Sequence, residues 1–239
     1  MGVIGGIGAP RGWRDFGLTR MCALVGLALS VAAVAPTPAP ADEDWTTADR
    51  RNSIFVFGGP LSTTDIWSSM IFNVHKPSGR VLYDNFVVGG AYGRDILDLT
   101  EHLRFGVEAG AALRFGDYKS CCNPVVRGSV RSGEFWGAGV LRHTGFDLFG
   151  GSVRIAPAVA VGISTVTKPI GAEHGVQSHF ESGNSRTLFY LGPELSLTSP
   201  SWGNVEFVYR LHHRSGLYGT LGNVKEGYNA NAFGLRFRY

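Results

Sequence analysis

The sequence predicts an all-β chain, an eight-stranded antiparallel up-and-down transmembrane β-barrel formed by residues 52–239. Three observations predict it. Runs of roughly ten residues alternate apolar with small or polar side chains, as strands do between lipid and a narrow lumen. The connections between these runs alternate long and short. Beyond residue 41 no stretch approaches the roughly 18 apolar residues of a spanning helix, so a membrane could be crossed only by strands.

The elements follow in chain order. Residues 1–41 read as a cleaved secretory signal peptide, with Arg11, Arg14 and Arg20 ahead of the apolar segment 21–36 and the A-x-A motif Ala39-Pro40-Ala41 just before Asp42. The apolar segment is shorter than the roughly 20 residues a spanning helix needs. Residues 42–51 form a short periplasmic lead-in. The strand runs are 52–59, 83–93, 101–115, 133–142, 152–164, 186–197, 203–213 and 228–239.

The third run shows the alternation best. Leu103, Phe105, Val107, Ala109, Ala111, Leu113 and Phe115 fall on one face; Arg104, Gly106, Glu108, Gly110, Ala112 and Arg114 fall on the other. A soluble sandwich alternates as well, but it buries its apolar face. Here the polar faces mix glycine and alanine with isolated charges of both signs, which suits a filled lumen. The apolar faces end in aromatics, as interfacial girdles do, and Tyr239 closes the last strand like the C-terminal signature of outer-membrane barrels. Lumenal charges such as Arg104, Glu108, Arg154, Glu194, Glu206, Arg210 and Arg236 are tolerable only as paired networks.

The long connections 60–82, 116–132, 165–185 and 214–227 are expected at the cell surface. The short ones (94–100, 143–151 and 198–202) are expected in the periplasm, together with both termini. This arrangement fits the outer membrane of a Gram-negative bacterium. An eight-stranded barrel has an interior that side chains fill, so function must sit on the loops or the outer wall.

Composition excludes several classes. A net charge of +3 leaves no basic footprint for nucleic acid. Cys22 departs with the signal, and the adjacent Cys121 and Cys122 cannot staple distant parts of a fold. His174 and His179, with Glu173 beside the first, are spaced so that neither a helix nor a strand would make them converge, and no metal or other cofactor is expected.

The chemistry concentrates at the exit of the seventh run. Period two sets Val205, Phe207, Tyr209, Leu211, His213 and Ser215 on the outward face, with Glu206, Arg210 and His212 in the lumen. Two residues along a strand separate Cα atoms by about 6.6 Å, which an imidazole can bridge. A neutral imidazole that close can take a serine proton and make the hydroxyl a nucleophile. Pairing His213 with Asn229 brings Tyr239 opposite Gly203 and sets Asn229 outward beside the histidine.

Phe207-Val208-Tyr209-Arg210, then His213-Arg214-Ser215, then Asn223 and the closing strand resemble the outer-membrane lipid A 3-O-deacylase family. Elsewhere the agreement is of architecture alone. The resemblance implies a membrane-facing Ser–His–Glu triad that hydrolyses the 3-O-linked hydroxyacyl ester of lipid A without metal. Ser215 would be the nucleophile and His213 the base, with Asn223 at the spacing of a loop asparagine of the oxyanion site. Gly216 stands where the family usually has asparagine. The acid's place on the last strand falls at Asn229, and Glu226 could substitute only if the loop folds it back. Arg214 and Lys225 read as partners for lipopolysaccharide phosphates. The other reading is a structural or lipopolysaccharide-binding barrel that has lost the catalytic acid. Under either reading the partner is lipid A or lipopolysaccharide of the outer leaflet, and a homodimer is left open.

Overall fold

The computed structural model describes residues 50–62, 85–117, 129–171, 173, 174, 177, 185–224 and 227–239. The signal segment, most of the lead-in, Cys121, Cys122, His179, Lys225 and Glu226 lie outside the described residues.

Alternating side chains commit each run to a strand with two unlike faces, and the strands close on one another. They are β1 (Asn52–Ser62), β2 (Asn85–Thr100), β3 (Leu103–Asp117), β4 (Ser129–His143), β5 (Phe146–Leu148), β6 (Val153–Val166), β7 (Thr187–Thr198), β8 (Val205–Ser215) and β9 (Gly227–Arg238). Apart from β4 and β5, sequence neighbours pair antiparallel; β1 pairs with β9 and β4 with β6, so eight strands form a closed up-and-down barrel without a free edge. The three-residue β5 only extends β6 below the barrel, where Phe146 meets Ile155.

The faces are inverted relative to a water-soluble barrel. Val56, Leu113 and Val161 are 55%, 59% and 57% exposed on the outer wall, while Glu108, Arg114, Glu194 and Arg236 are buried inside. Large apolar side chains ringing the wall make a surface that water disfavours and hydrocarbon does not.

Among the described residues, six buried arginines (Arg114, Arg142, Arg210, Arg214, Arg236 and Arg238) face six buried carboxylates (Asp95, Glu108, Glu134, Glu173, Glu194 and Glu206). Arg210 holds both Glu108 oxygens at 2.5 and 2.7 Å and reaches Glu194 at 2.6 Å. Arg236 joins Glu194 to Glu206 at 2.6 and 2.9 Å, and Arg238 continues the chain from Glu206 to Asp95. Burying so many charges is tolerable because each meets an opposite one. Phe55, Phe57, Trp136 and Tyr190 fill the space between the ionic layers.

The structure corrects several boundaries. Residues 94–100, expected as a turn, are strand, and only Glu101-His102 connects β2 to β3. Two register shifts, between Asp95 and Leu97 and between Asp98 and Thr100, absorb these residues as bulges. The turn-forming aspartates serve the ionic network instead: Asp95 receives Arg238, and Asp98 pairs with Arg51 and Arg104. Arg154, expected in the lumenal network, pairs with Asp147 of β5 below the barrel. β8 runs two residues further than its run, so Ser215 lies on the strand and not in the loop.

Candidate functional site

The site is built at the outer ends of β8 and β9. Their register pairs His213 with Asn229, Arg214 with Tyr228 and Ser215 with Gly227, with the closing pair Val205–Phe237 in the same frame. This is the register read from the sequence. Because side chains alternate, His213, Ser215, Gly227 and Asn229 share the outer face, and Arg214 and Tyr228 stand behind them in the lumen.

His213 Nδ1 lies 2.7 Å from Asn229 Oδ1. With the amide oxygen as acceptor, Nδ1 carries the proton and Nε2 keeps its lone pair. Both residues are largely withdrawn from solvent, His213 at 7% exposure and Asn229 at 1%. The ring leans across toward the rung of the serine. A Cβ at Gly227, directly opposite Ser215, would stand 2.4 Å from His213 Cε1 and 3.2 Å from Nε2. Any larger residue at 227 would therefore displace the imidazole. Ser215 itself is half-buried, and among the described residues no hydrogen bond joins it to His213. Such contacts commonly tighten only when substrate is bound.

Beyond Ser215 the chain turns at once. Leu217 and Tyr218 adopt left-handed φ of 48° and 57°, a conformation costly for side chains of this size, and Tyr218 is 92% exposed. The loop folds back so closely that a Cβ at Gly216 would meet the Val224 carbonyl at 2.1 Å. Packing alone thus requires glycine at 216, where the resembled family carries asparagine. Asn223 is exposed on this loop at φ 57°.

Arg214 does not stand where the sequence reading put it. It is buried in the lumen, bonded to Glu173 at 2.5 Å, to Ser164 Oγ at 2.9 Å and to the Arg186 carbonyl at 2.8 Å. An outward strand position at 213 forces 214 inward, and the buried carboxylates hold it there. It is thereby removed as a partner for lipid phosphates. Glu226 and Lys225 fall outside the described residues. His212 is lumenal as expected, 2.7 Å from Glu134 and packed against Trp136 and Tyr190.

Two further outward residues were not read as part of this wall's chemistry. Asn231 lies one outward position below Asn229 and accepts a 2.8 Å hydrogen bond from the Tyr209 hydroxyl. The pairs His213–Asn229 and Tyr209–Asn231 form a polar strip on a wall that is mostly apolar. Period two places all four on one face, so the strip was visible in the alternation.

No protein-family model matches the chain, and no curated protein matches it. The fold has solved counterparts. It is similar to the outer membrane enzyme PagL, with 11% identity and a TM-score of 0.47 over 77% of this chain and 98% of that one. It is similar to Neisserial surface protein A (NspA), with 13% identity and a TM-score of 0.46 over 79% and 97% of the two chains. It is also similar to the Yersinia pestis outer membrane protein Ail, with 12% identity and a TM-score of 0.37 over 80% and 100%.

Proposed function

We propose that the protein is an outer-membrane barrel of a Gram-negative bacterium, both termini periplasmic, that hydrolyses the 3-O-linked hydroxyacyl ester of lipid A on its outer wall. Ser215 is the nucleophile, His213 its base and Asn229 the group that orients the base. The observation that carries this reading is the 2.7 Å contact between His213 and Asn229, with Gly227 leaving room for the ring beside Ser215. A histidine, a serine and an asparagine grouped at the outward positions of two adjoining rungs, on a wall of mostly apolar residues, argue for chemistry there. The substrate class comes from the resemblance of residues 207–215 and from the outward face of the site.

In the proposed reaction His213 Nε2 takes the Ser215 proton as Oγ attacks the ester carbonyl. The imidazolium then returns that proton to the leaving sugar oxygen, and water releases the acyl group by the same base. The exposed loop asparagine Asn223 is the side chain proposed to meet the oxyanion. Asn229 can hold the imidazole's orientation but cannot neutralise the imidazolium, and losing the carboxylate at this place costs about 10⁴-fold in turnover where it has been tested in serine hydrolases. Asn229→Glu is therefore expected to raise hydroxy fatty acid release by at least about tenfold. If Glu226 supplies the acid instead, Glu226→Gln lowers release and Asn229→Glu leaves it unchanged. Gly227→Ala is expected to lower turnover by about 10²-fold in a barrel that still folds, since a displacement of about 1 Å at a catalytic group has that effect. A Gly227→Ala protein as active as wild type would show that the imidazole need not lean over that rung.

The second reading, a structural or lipopolysaccharide-binding barrel, is favoured by the amide at 229. Lipid A incubated with the detergent-solubilised protein separates the two: release of a hydroxy fatty acid supports the enzyme, and binding without release supports the binder.

A further inference from the structure

We infer that Glu173, on the third surface connection, is a positioning residue for the outer-wall site, an inference that rests on the reading of Ser215 and His213 as a working pair. The connection does not stay at the surface. Ile170, Glu173 and Gln177 are buried, and the His174 amide bonds back to the Ile170 carbonyl in a helical turn. Gly171 makes this entry feasible: its φ is +59°, and a Cβ there would lie 1.7 Å from Asn85 Nδ2. The turn drops a carboxylate into the barrel mouth.

That carboxylate sits directly behind the candidate site. One oxygen of Glu173 lies 2.5 Å from Arg214 Nη1, and the other lies 2.5 Å from Arg114 Nη2 of β3. Its main-chain carbonyl accepts a 3.3 Å hydrogen bond from the Tyr228 hydroxyl. Arg214 is the residue between His213 and Ser215, and Tyr228 is the residue between Gly227 and Asn229. The two are paired across the strands. Both inward side chains of this rung thus end on one residue. The outward residues of the adjoining rungs, His213, Asn229, Ser215 and Gly227, are the four that make the site.

Glu173 therefore fixes the relative placement of β8 and β9 at this rung and ties it across the lumen to β3. Ser164 Oγ and the Arg186 carbonyl hold Arg214 as well. Glu173 differs from them in gripping both strands at once. It touches no substrate; its effect passes through Arg214 and Tyr228 to the spacing of His213 Nε2 and Ser215 Oγ. Because it stands on a surface connection, the state of that connection is coupled to the site.

The test uses the full barrel in detergent micelles with lipid A and two independent readouts. The first is steady-state release of hydroxy fatty acid by Glu173→Gln, Glu173→Asp and Tyr228→Phe. The second is the pH profile of alkylation of Ser215→Cys by a small maleimide, alone and combined with Glu173→Gln. A thiol close to the imidazole reacts at lower pH than an ordinary one. Heat-modifiable gel mobility reports whether each barrel is folded. Glu173→Gln is expected to lower kcat at least about tenfold with KM within about twofold, and Glu173→Asp to recover part of that loss. The alkylation profile is expected to move toward that of an ordinary cysteine in the Glu173→Gln background. A folded Glu173→Gln protein with unchanged kcat and an unchanged alkylation profile overturns the inference. If wild-type protein releases no fatty acid, the proposed function fails, and the alkylation profile alone still decides whether Glu173 positions the pair. If Glu173→Gln does not fold, Tyr228→Phe decides: a lowered kcat or a shifted profile supports the role, and neither overturns it.

Discussion

Ser215→Ala and His213→Ala are each expected to abolish release of hydroxy fatty acid from lipid A while the barrel still forms. Ser215 lies two residues along β8 from His213 on the same face, and His213 is the base proposed to act on it. Losing either member of such a pair removes nearly all turnover, because the two act as a unit and their effects do not add. Neither side chain takes part in the ionic layers of the lumen, so folding should survive. His212→Ala is the internal control. His212 adjoins His213 in the chain but faces inward to Glu134. Its removal should lower stability and leave turnover per folded barrel little changed. Detergent kinetics with gel mobility checks all three, and a His213→Ala protein that retains turnover would remove the proposed base.

Glu194→Ala is expected to be the most destabilising single change in the lumen. Its carboxylate receives Arg142 at 3.0 Å, Arg210 at 2.6 and 2.9 Å and Arg236 at 2.6 Å. Truncation would leave three buried guanidinium groups short of an anion. Breaking a buried pair by removing one partner costs about 3–5 kcal/mol, and here one partner serves three. The loss should appear as a lower urea midpoint and a lower temperature for the gel-mobility transition. Glu194→Gln should recover part of it, because the amide oxygen still accepts hydrogen bonds. A midpoint within error of wild type would mean that the remaining carboxylates redistribute freely among the arginines.

The barrel was legible because its physics is written at period two. In 103–115 every large apolar residue faces out and every charge faces in, so strand, face and membrane class follow from one pattern. The His213–Asn229 pairing was equally legible, since one register aligned the whole hairpin from Ser215 to Val205. Other features were hidden for identifiable reasons. Asp95 and Asp98 look like turn residues, but they pair with Arg238 and Arg51, which are distant in sequence, and lie in bulged strand. Glu173 reads as a solvated loop acid; its partners Arg114 and Arg214 lie on two other strands, and only the folded barrel brings them together. Arg214 was a different kind of miss. Its parity with His212 placed it in the lumen, yet its charge and position near the surface suggested lipid phosphates. The alternation was the stronger guide, because a one-residue slip would have turned the entire strand inside out.

The central claim, that the outer wall carries a lipid A esterase, is tested most directly by mass spectrometry of lipid A from cells of one strain expressing wild-type protein, Ser215→Ala protein or neither. The account predicts a lipid A species lighter by one hydroxyacyl chain with wild-type protein and its absence in the other two. Identical lipid A in all three, with wild-type protein folded in the outer membrane, would contradict it.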